Sequence, residues 1–252
     1  MRSKTAYGGI PISKKYLRHV WTLVFLVLAL AAALCLYFTD MEGLDFTTMS
    51  RKGIGRVFLC AVWAALVAVM LSRLVPNRRI TMGARKHYSC SYRAAPLAEE
   101  VERRSPAIRK RLNRGAVVSA LAWALFNTAV FLAQSVLGVL TPPAAVVVML
   151  AYAVCGMVCT LFLCPFRLFF MRNRCCAVCR IHNWDCLMVC TPMVLFPSAY
   201  SLSLLALAVA VLLRWEIALR RKPHFFVEES NENLRCANCE ERICHTRLSS
   251  RP

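Results

Sequence analysis

Two short stretches of the chain bring cysteine and histidine together at spacings typical of metal ligands. One is "CCAVCRIHNWDC" and the other is "CANCEERICH" near the end of the chain. The candidate ligands are Cys175, Cys176, Cys179, His182 and Cys186 in the first stretch and Cys236, Cys239, Cys244 and His245 in the second. Two thiolates separated by two residues can turn toward one ion, and structural zinc takes four nitrogen or sulfur ligands at tetrahedral corners. The spacing therefore predicts a structural metal site.

Three arrangements of that site are open. The pairs Cys176/Cys179 and Cys236/Cys239 can form one four-cysteine zinc site, or each stretch can complete its own site. Four thiolates also suit an iron–sulfur cluster, but the dense cysteine run of ferredoxins is missing, so the sequence favours zinc. In a reducing cytosol the thiols can also stay without a metal, whereas on an oxidising side the tail cysteines would enter disulfides.

The elements that must position these cysteines are hydrophobic helices. The chain has 252 residues, of which 58% are hydrophobic, and a mean hydropathy of +0.51, which is too apolar for an ordinary soluble domain. Its five apolar runs cover residues 19–38, 57–75, 116–140, 144–166 and 187–213. Each reaches the ~20 residues that a helix needs to cross a bilayer. The predicted fold class is an all-α integral membrane protein with four to five transmembrane helices.

The last run contains Pro192 and Pro197, and proline interrupts helical hydrogen bonding. Residues 187–213 can cross once, or form a re-entrant hairpin that returns the tail to the side it came from. In a third arrangement 187–196 lies along the interface and only 198–213 crosses. The hairpin is favoured because it agrees with the charge distribution described next.

Lysine and arginine counts predict the orientation, since cytoplasmic loops carry an excess of both. The N-terminal segment 1–18 has five, the loop 39–56 three and the loop 76–115 eleven. The segment 167–180 has four and the tail 214–252 has eight. We therefore expect a cytoplasmic N-terminus and a cytoplasmic tail, in the cell membrane, with the composition of a bacterial inner-membrane protein.

These features divide the chain into seven parts. They are the basic segment 1–18, a first transmembrane hairpin 19–75, the basic loop 76–115, a second hairpin 116–170, the cysteine-rich loop 171–186, the fifth hydrophobic segment 187–213 and the basic tail 214–252. The net charge of +19 fits anionic lipid headgroups, and no nucleic-acid-binding motif is present. The loop 76–115 can also bind an unidentified membrane-protein partner.

Polar residues near the apolar runs predict packing rather than catalysis. Asn127 and Gln134 lie seven residues apart on one helix face and are expected to hydrogen-bond across helices. Arg73 and Arg167 lie near helix ends, from which their charged groups can reach the interface. The sequence contains no serine–histidine–aspartate arrangement, phosphate loop or HExxH motif. It thus predicts a metal-stabilised scaffold or accessory component. An iron–sulfur electron-transfer component is the alternative, and a small-solute transporter comes third because mid-membrane charges are lacking.

Overall fold

The computed structural model describes residues 14–48, 53–75, 92–171, 179–235 and 238, and these are all-helical as predicted. The α-helices are α1 (Lys14–Thr39), α2 (Ile54–Leu74), α3 (Ala98–Arg103), α4 (Ser105–Val136), α5 (Pro142–Leu161), α6 (Asp185–Cys190) and α7 (Ala199–Arg221). A π-helical turn at Phe166–Met171 lies between α5 and α6. Short 3-10 helical turns lie at Arg180–Asn183, Thr191–Leu195, Pro223–Phe226 and Glu232–Leu234. No strand occurs within the described ranges.

Five of these helices are long and apolar enough to cross a membrane, namely α1, α2, α4, α5 and α7. The shortest has 20 residues, which at ~1.5 Å per residue covers the ~30 Å of a hydrocarbon core. Their outer faces carry large exposed apolar side chains such as Trp21, Phe25 and Leu125. That pattern is expected of helices that face lipid rather than water.

Two of the long helices begin at caps that are visible in the sequence. The side chain of Thr141 accepts a hydrogen bond from the Ala144 amide, and two prolines fill the first turn of α5. Ser198 caps α7, and its side chain and that of Ser201 satisfy each other's backbone amides. Such caps supply partners for amides that have none inside the helix. The "TPP" turn and the Pro197-Ser198 pair are therefore helix starts.

The third and fifth apolar runs differ from the helices that contain them. The helix predicted over 116–140 begins at Ser105 instead, because the arginine, lysine and leucine residues in 109–114 are good helix formers and continue the same helix. The short surface helix α3 precedes it and carries the ion pair between Glu100 and Arg104. The fifth run is not one helix over 187–213. It is divided by Pro197 into a short arm, 185–195, and α7.

The turn between the short arm and α7 lies beside the beginning of α2. The ring of Phe46 stacks on Tyr200 with centroids 5.4 Å apart, and the Tyr200 hydroxyl donates to the Leu59 carbonyl at 3.2 Å. The Trp63 indole donates to Ser203 Oγ at 2.9 Å. Residues 40–46, 54–59 and 196–203 therefore share one end of the bundle, which we call the far end.

The two arms return to the other end together. At the start of the short arm, Asp185 forms an ion pair with Arg73 in the last turn of α2. Near the end of α7, Glu216 forms an ion pair with Arg180, directly before the short arm. The segment 185–221 is thus a helical hairpin that begins and ends on one side of the bundle. We call this side, with residues 92–115, 179–185 and 214–235, the basic end.

A close backbone contact at the far end gives a first prediction. A Cβ on Gly55 would lie 2.7 Å from the carbonyl carbon of Gly43, so Gly55→Ala must push α2 away from the preceding turn. We expect a loss of about 1–3 kcal/mol in unfolding free energy, as for other overpacked sites. Gly53→Ala is the control, since its nearest neighbour, a carboxylate oxygen of Asp40, is 3.5 Å away. Equal SDS-induced unfolding of both variants in detergent micelles would contradict the contact.

Candidate functional site

Arg180 organises the basic end through contacts with two long helices. Its Nε donates to Glu216 Oε1 at 2.9 Å, and its Nη1 donates to the Asn113 side chain at 2.8 Å and to the Leu112 carbonyl at 3.2 Å. The Trp184 indole donates to the same Glu216 oxygen at 2.8 Å. The turn Arg180–Asn183 is thereby fixed to both α4 and α7.

A second, partly buried ion pair connects α2 to the beginning of α6. Arg73 Nη2 donates to Asp185 Oδ2 at 2.9 Å, and a further hydrogen bond joins Nη1 to the other carboxylate oxygen. His182 Nδ1 lies 3.8 Å from the same carboxylate. Arg73 was expected to extend toward the interface, and the structure instead gives it a carboxylate partner. The short stretch "RIHNWD" is therefore held by two ion pairs with different helices.

The chain that follows α7 folds back onto the segment before α3. The Ala95 amide donates to the Ser230 carbonyl at 3.0 Å, and the Glu232 amide donates to the Arg93 carbonyl at 2.9 Å. The Tyr92 ring stacks on Phe225 with centroids 4.2 Å apart. Burial, and then the nearby carboxylate of Glu102, raise the pKa of Tyr92. Residues up to Arg235 therefore lie at the basic end.

Three of the nine predicted metal ligands lie within the described residues. Cys179 is 3% exposed, directly before the turn that Arg180 fixes. His182 faces Asp185, and Cys186 belongs to the apolar core between α5 and α7. The other six, Cys175, Cys176, Cys236, Cys239, Cys244 and His245, lie outside the described residues. Among the side chains that the structure describes, no group of three or more forms a metal site.

A cavity of about 420 Å³ lies between α4, α5 and α6 and is open to the outside. Its walls are nearly all apolar and include five aromatic rings, from Trp123, Phe126, Tyr152, Phe166 and Phe170. The ring of Trp123 contacts those of Phe126, Tyr152 and Phe166 at centroid distances between 5.0 and 6.2 Å. Sequence reasoning missed this cavity, because the residues that line it come from five separate segments.

Four thiols, an arginine and a histidine line the same cavity toward the basic end, namely Cys155, Cys159, Cys164, Cys179, Arg167 and His182. A hydrogen bond from Cys159 lowers the pKa of Cys164. Burial acts against this effect, and the amides of Arg167 and Phe166 and the Arg167 charge add to it. Cys155 and Cys159 lie one helical turn apart on α5, and both line the cavity.

The predicted interhelical hydrogen bond of Asn127 is present. The Tyr152 hydroxyl of α5 donates to Asn127 Oδ1 at 3.1 Å, and the Asn127 amide donates to the Trp123 carbonyl at 2.9 Å. This pair closes the aromatic wall of the cavity and fixes α4 against α5.

Comparison with protein-family models, with curated proteins and with solved structures finds no match to this chain. Inferences about its function therefore rest on the chemistry of the basic end and of the cavity.

Proposed function

We propose that the chain is a multi-pass membrane protein whose two C-x-x-C pairs hold one structural zinc ion at the basic end. The metal joins the tail to the loop before α6, and the protein acts as a scaffold or accessory component rather than as an enzyme. The basic end and the N-terminus face the cytoplasm, against anionic headgroups. A bacterial plasma membrane is the proposed location, and a membrane-protein partner at 92–115 is part of the proposal.

The observation that carries this proposal is the hairpin 185–221. A single crossing would separate Cys179 from Cys236 by the membrane thickness, and four ligands of one ion must lie within a few ångströms of each other. The hairpin instead returns α7 to the end where Cys179 lies. Arg180, next to Cys179, contacts Leu112 of α4, and the turn Pro223–Phe226 packs on the same helix.

Zinc content measured for each cysteine pair tests the proposal. We expect one zinc per chain in the wild type and almost none in either Cys176→Ser/Cys179→Ser or Cys236→Ser/Cys239→Ser. Both losses follow because two remaining thiolates bind zinc far more weakly than four. Elemental analysis of protein purified in detergent gives the number directly. Cys35→Ser/Cys60→Ser is the matched control, since both thiols are exposed in long apolar helices, and it should keep its zinc.

Other outcomes of the same measurement contradict particular parts of the proposal. If each C-x-x-C variant keeps half of the metal, there are two separate sites. A wild type without metal would overturn the site as a whole. Anaerobically purified protein that contains iron and absorbs broadly at roughly 400 nm would identify the iron–sulfur alternative, and the protein would then be an electron-transfer component.

A further inference from the structure

Two thiols in the wall of the open cavity form a pair across the end of α5. The Cys159 thiol donates a hydrogen bond to the Cys164 sulfur, which also accepts hydrogen bonds from the backbone amides of Phe166 and Arg167. Neither cysteine is in a disulfide, and both are half-buried where they line the cavity. Two sulfur atoms in contact are the first requirement for a disulfide between them.

The same contacts favour Cys164 as the nucleophile of the pair. They lower the pKa of Cys164 to about 6, with the Cys159 hydrogen bond as the largest cause and burial acting against it. The thiolate, rather than the thiol, is the form of cysteine that attacks electrophiles. Redox-sensitive cysteines typically combine a low pKa, access from outside and a neighbouring cysteine that completes a disulfide. Cys164 has all three features, whereas Cys186 and Cys190 are 6% and 0% exposed in the apolar core.

The cavity limits which oxidants can reach this pair. Its volume is about 420 Å³ and its walls are nearly all apolar, as in many sites for small molecules. A charged oxidant such as oxidised glutathione would lose its hydration there without gaining polar partners. An organic hydroperoxide instead has one polar end on an apolar body, and such a body matches the rings of Trp123, Phe126 and Tyr152.

We propose that Cys164 and Cys159 reduce an organic hydroperoxide that enters this cavity, and that a disulfide forms between them. The Cys164 thiolate attacks the terminal oxygen and the O–O bond breaks. The alkoxide leaves as the alcohol with the proton that Cys164 had released, and Cys164 becomes a sulfenic acid. The Cys159 sulfur then attacks the Cys164 sulfur, the S–O bond breaks, and water leaves with the Cys159 proton. The two thiols lose two electrons and two protons, and the hydroperoxide becomes an alcohol and water.

The pair and the proposed zinc ligands are different residues beside one cavity. Cys179, which is one of the proposed ligands, lines that cavity too, but neither Cys159 nor Cys164 belongs to a C-x-x-C pair. Oxidation of the pair does not require zinc. Cys159→Ser/Cys164→Ser should therefore keep the zinc content of the wild type, so that each proposal can fail without the other.

Peptide mapping by mass spectrometry tests the proposal. The full chain, reduced and in detergent, is treated with one equivalent of cumene hydroperoxide, and the remaining thiols are blocked with a maleimide before proteolysis. We expect the disulfide between Cys159 and Cys164 as the main product. Cys159→Ser should stop at the Cys164 sulfenic acid, which dimedone traps, and Cys164→Ser should give neither product. Cys155→Ser is the control and should form the disulfide, since Cys155 lines the same cavity one turn from Cys159.

Gly156→Leu tests whether the hydroperoxide reacts from within the cavity. Gly156 lines the cavity, and a Cβ there would meet no atom within 4 Å, so a leucine side chain extends into the open space. We expect cumene hydroperoxide to react about tenfold more slowly, because its apolar body loses its site, and the smaller hydrogen peroxide to change by less than about twofold. Val158→Leu is the control, because Val158 is 38% exposed on the same helix and does not line the cavity.

Two sets of results would overturn the proposal. Disulfides between other cysteines in place of Cys159 and Cys164, or no reaction with one equivalent of cumene hydroperoxide, would exclude this pair as the reacting site. Equal slowing of both peroxides by Gly156→Leu, or slowing of neither, would exclude the cavity as the place where the hydroperoxide binds. Should Gly156→Leu fail to fold, Gly156→Ala must still slow cumene hydroperoxide by a smaller factor, and the mapping of the wild type decides the first point without any variant.

Discussion

Glu216→Ala is expected to lower the free energy of unfolding by about 3 kcal/mol, the lower end of the range for removing one partner of a buried ion pair, because the pair is partly buried. The side chains of Arg180 and Glu216 are 11% and 18% exposed. Without Glu216 the Arg180 guanidinium loses its carboxylate, and the Trp184 indole loses its acceptor. The turn before α6 would then keep its contacts with α4 but lose its main contact with α7.

Titration with SDS in detergent micelles measures that free energy. The control is Glu100→Ala, which breaks the ion pair with Arg104 on the surface of α3, where the side chains are 50% and 71% exposed. We expect a change of at most about 1 kcal/mol there, because exposed ion pairs contribute little. Arg180→Met/Glu216→Leu should recover part of the stability lost in Glu216→Ala, since an apolar pair leaves no unpaired charge, while the hydrogen bonds of Arg180 with α4 are lost as well. Equal losses in Glu216→Ala and Glu100→Ala would show that the pair does not join the loop to α7.

Local signals in the sequence predicted the helices well. Five apolar runs of sufficient length marked the five long helices, and the break at Pro197 followed from the missing amide of proline. The start of α5 lies two residues before the predicted run 144–166, and threonine followed by prolines is the signal that marks it. The N-terminal extension of α4 to Ser105 was not predicted, because the basic residues 109–114 had been interpreted as a loop at the membrane surface.

Contacts between distant residues could not be predicted in the same way. Arg180 and Glu216 are separated by 36 positions, and nothing in either neighbourhood indicates the other as a partner. The cavity could not be predicted for the same reason, since Trp123, Gly156 and Arg167 come from three different segments. The hairpin is an intermediate case. The prolines and the basic tail favoured a hairpin. Its turn is located only by the contact of Tyr200 with Leu59, and its beginning only by the contact of Asp185 with Arg73.

The second prediction concerns the side of the membrane on which the C-terminal tail lies. Glu99 and Glu229 are exposed at the basic end, and Glu42 is exposed at the far end. The backbone hydrogen bonds of Ala95 and Glu232 hold the segments that contain Glu99 and Glu229 against each other. Single cysteines at these two positions should therefore react from one side of the membrane, and a cysteine at position 42 from the other. The lysine and arginine counts predict that position 42 is outside.

Labelling intact cells with an impermeant maleimide measures most directly the side of the membrane on which each introduced cysteine lies. The three variants Glu42→Cys, Glu99→Cys and Glu229→Cys are made in a cysteine-depleted chain whose helix content matches that of the wild type. We expect labelling at position 42 in intact cells, and labelling at positions 99 and 229 only after the membrane is permeabilised. Labelling at 99 and 229 but not at 42 would reverse the orientation and leave the hairpin intact. Labelling at 229 together with 42, and not with 99, would contradict the hairpin and with it the shared zinc site.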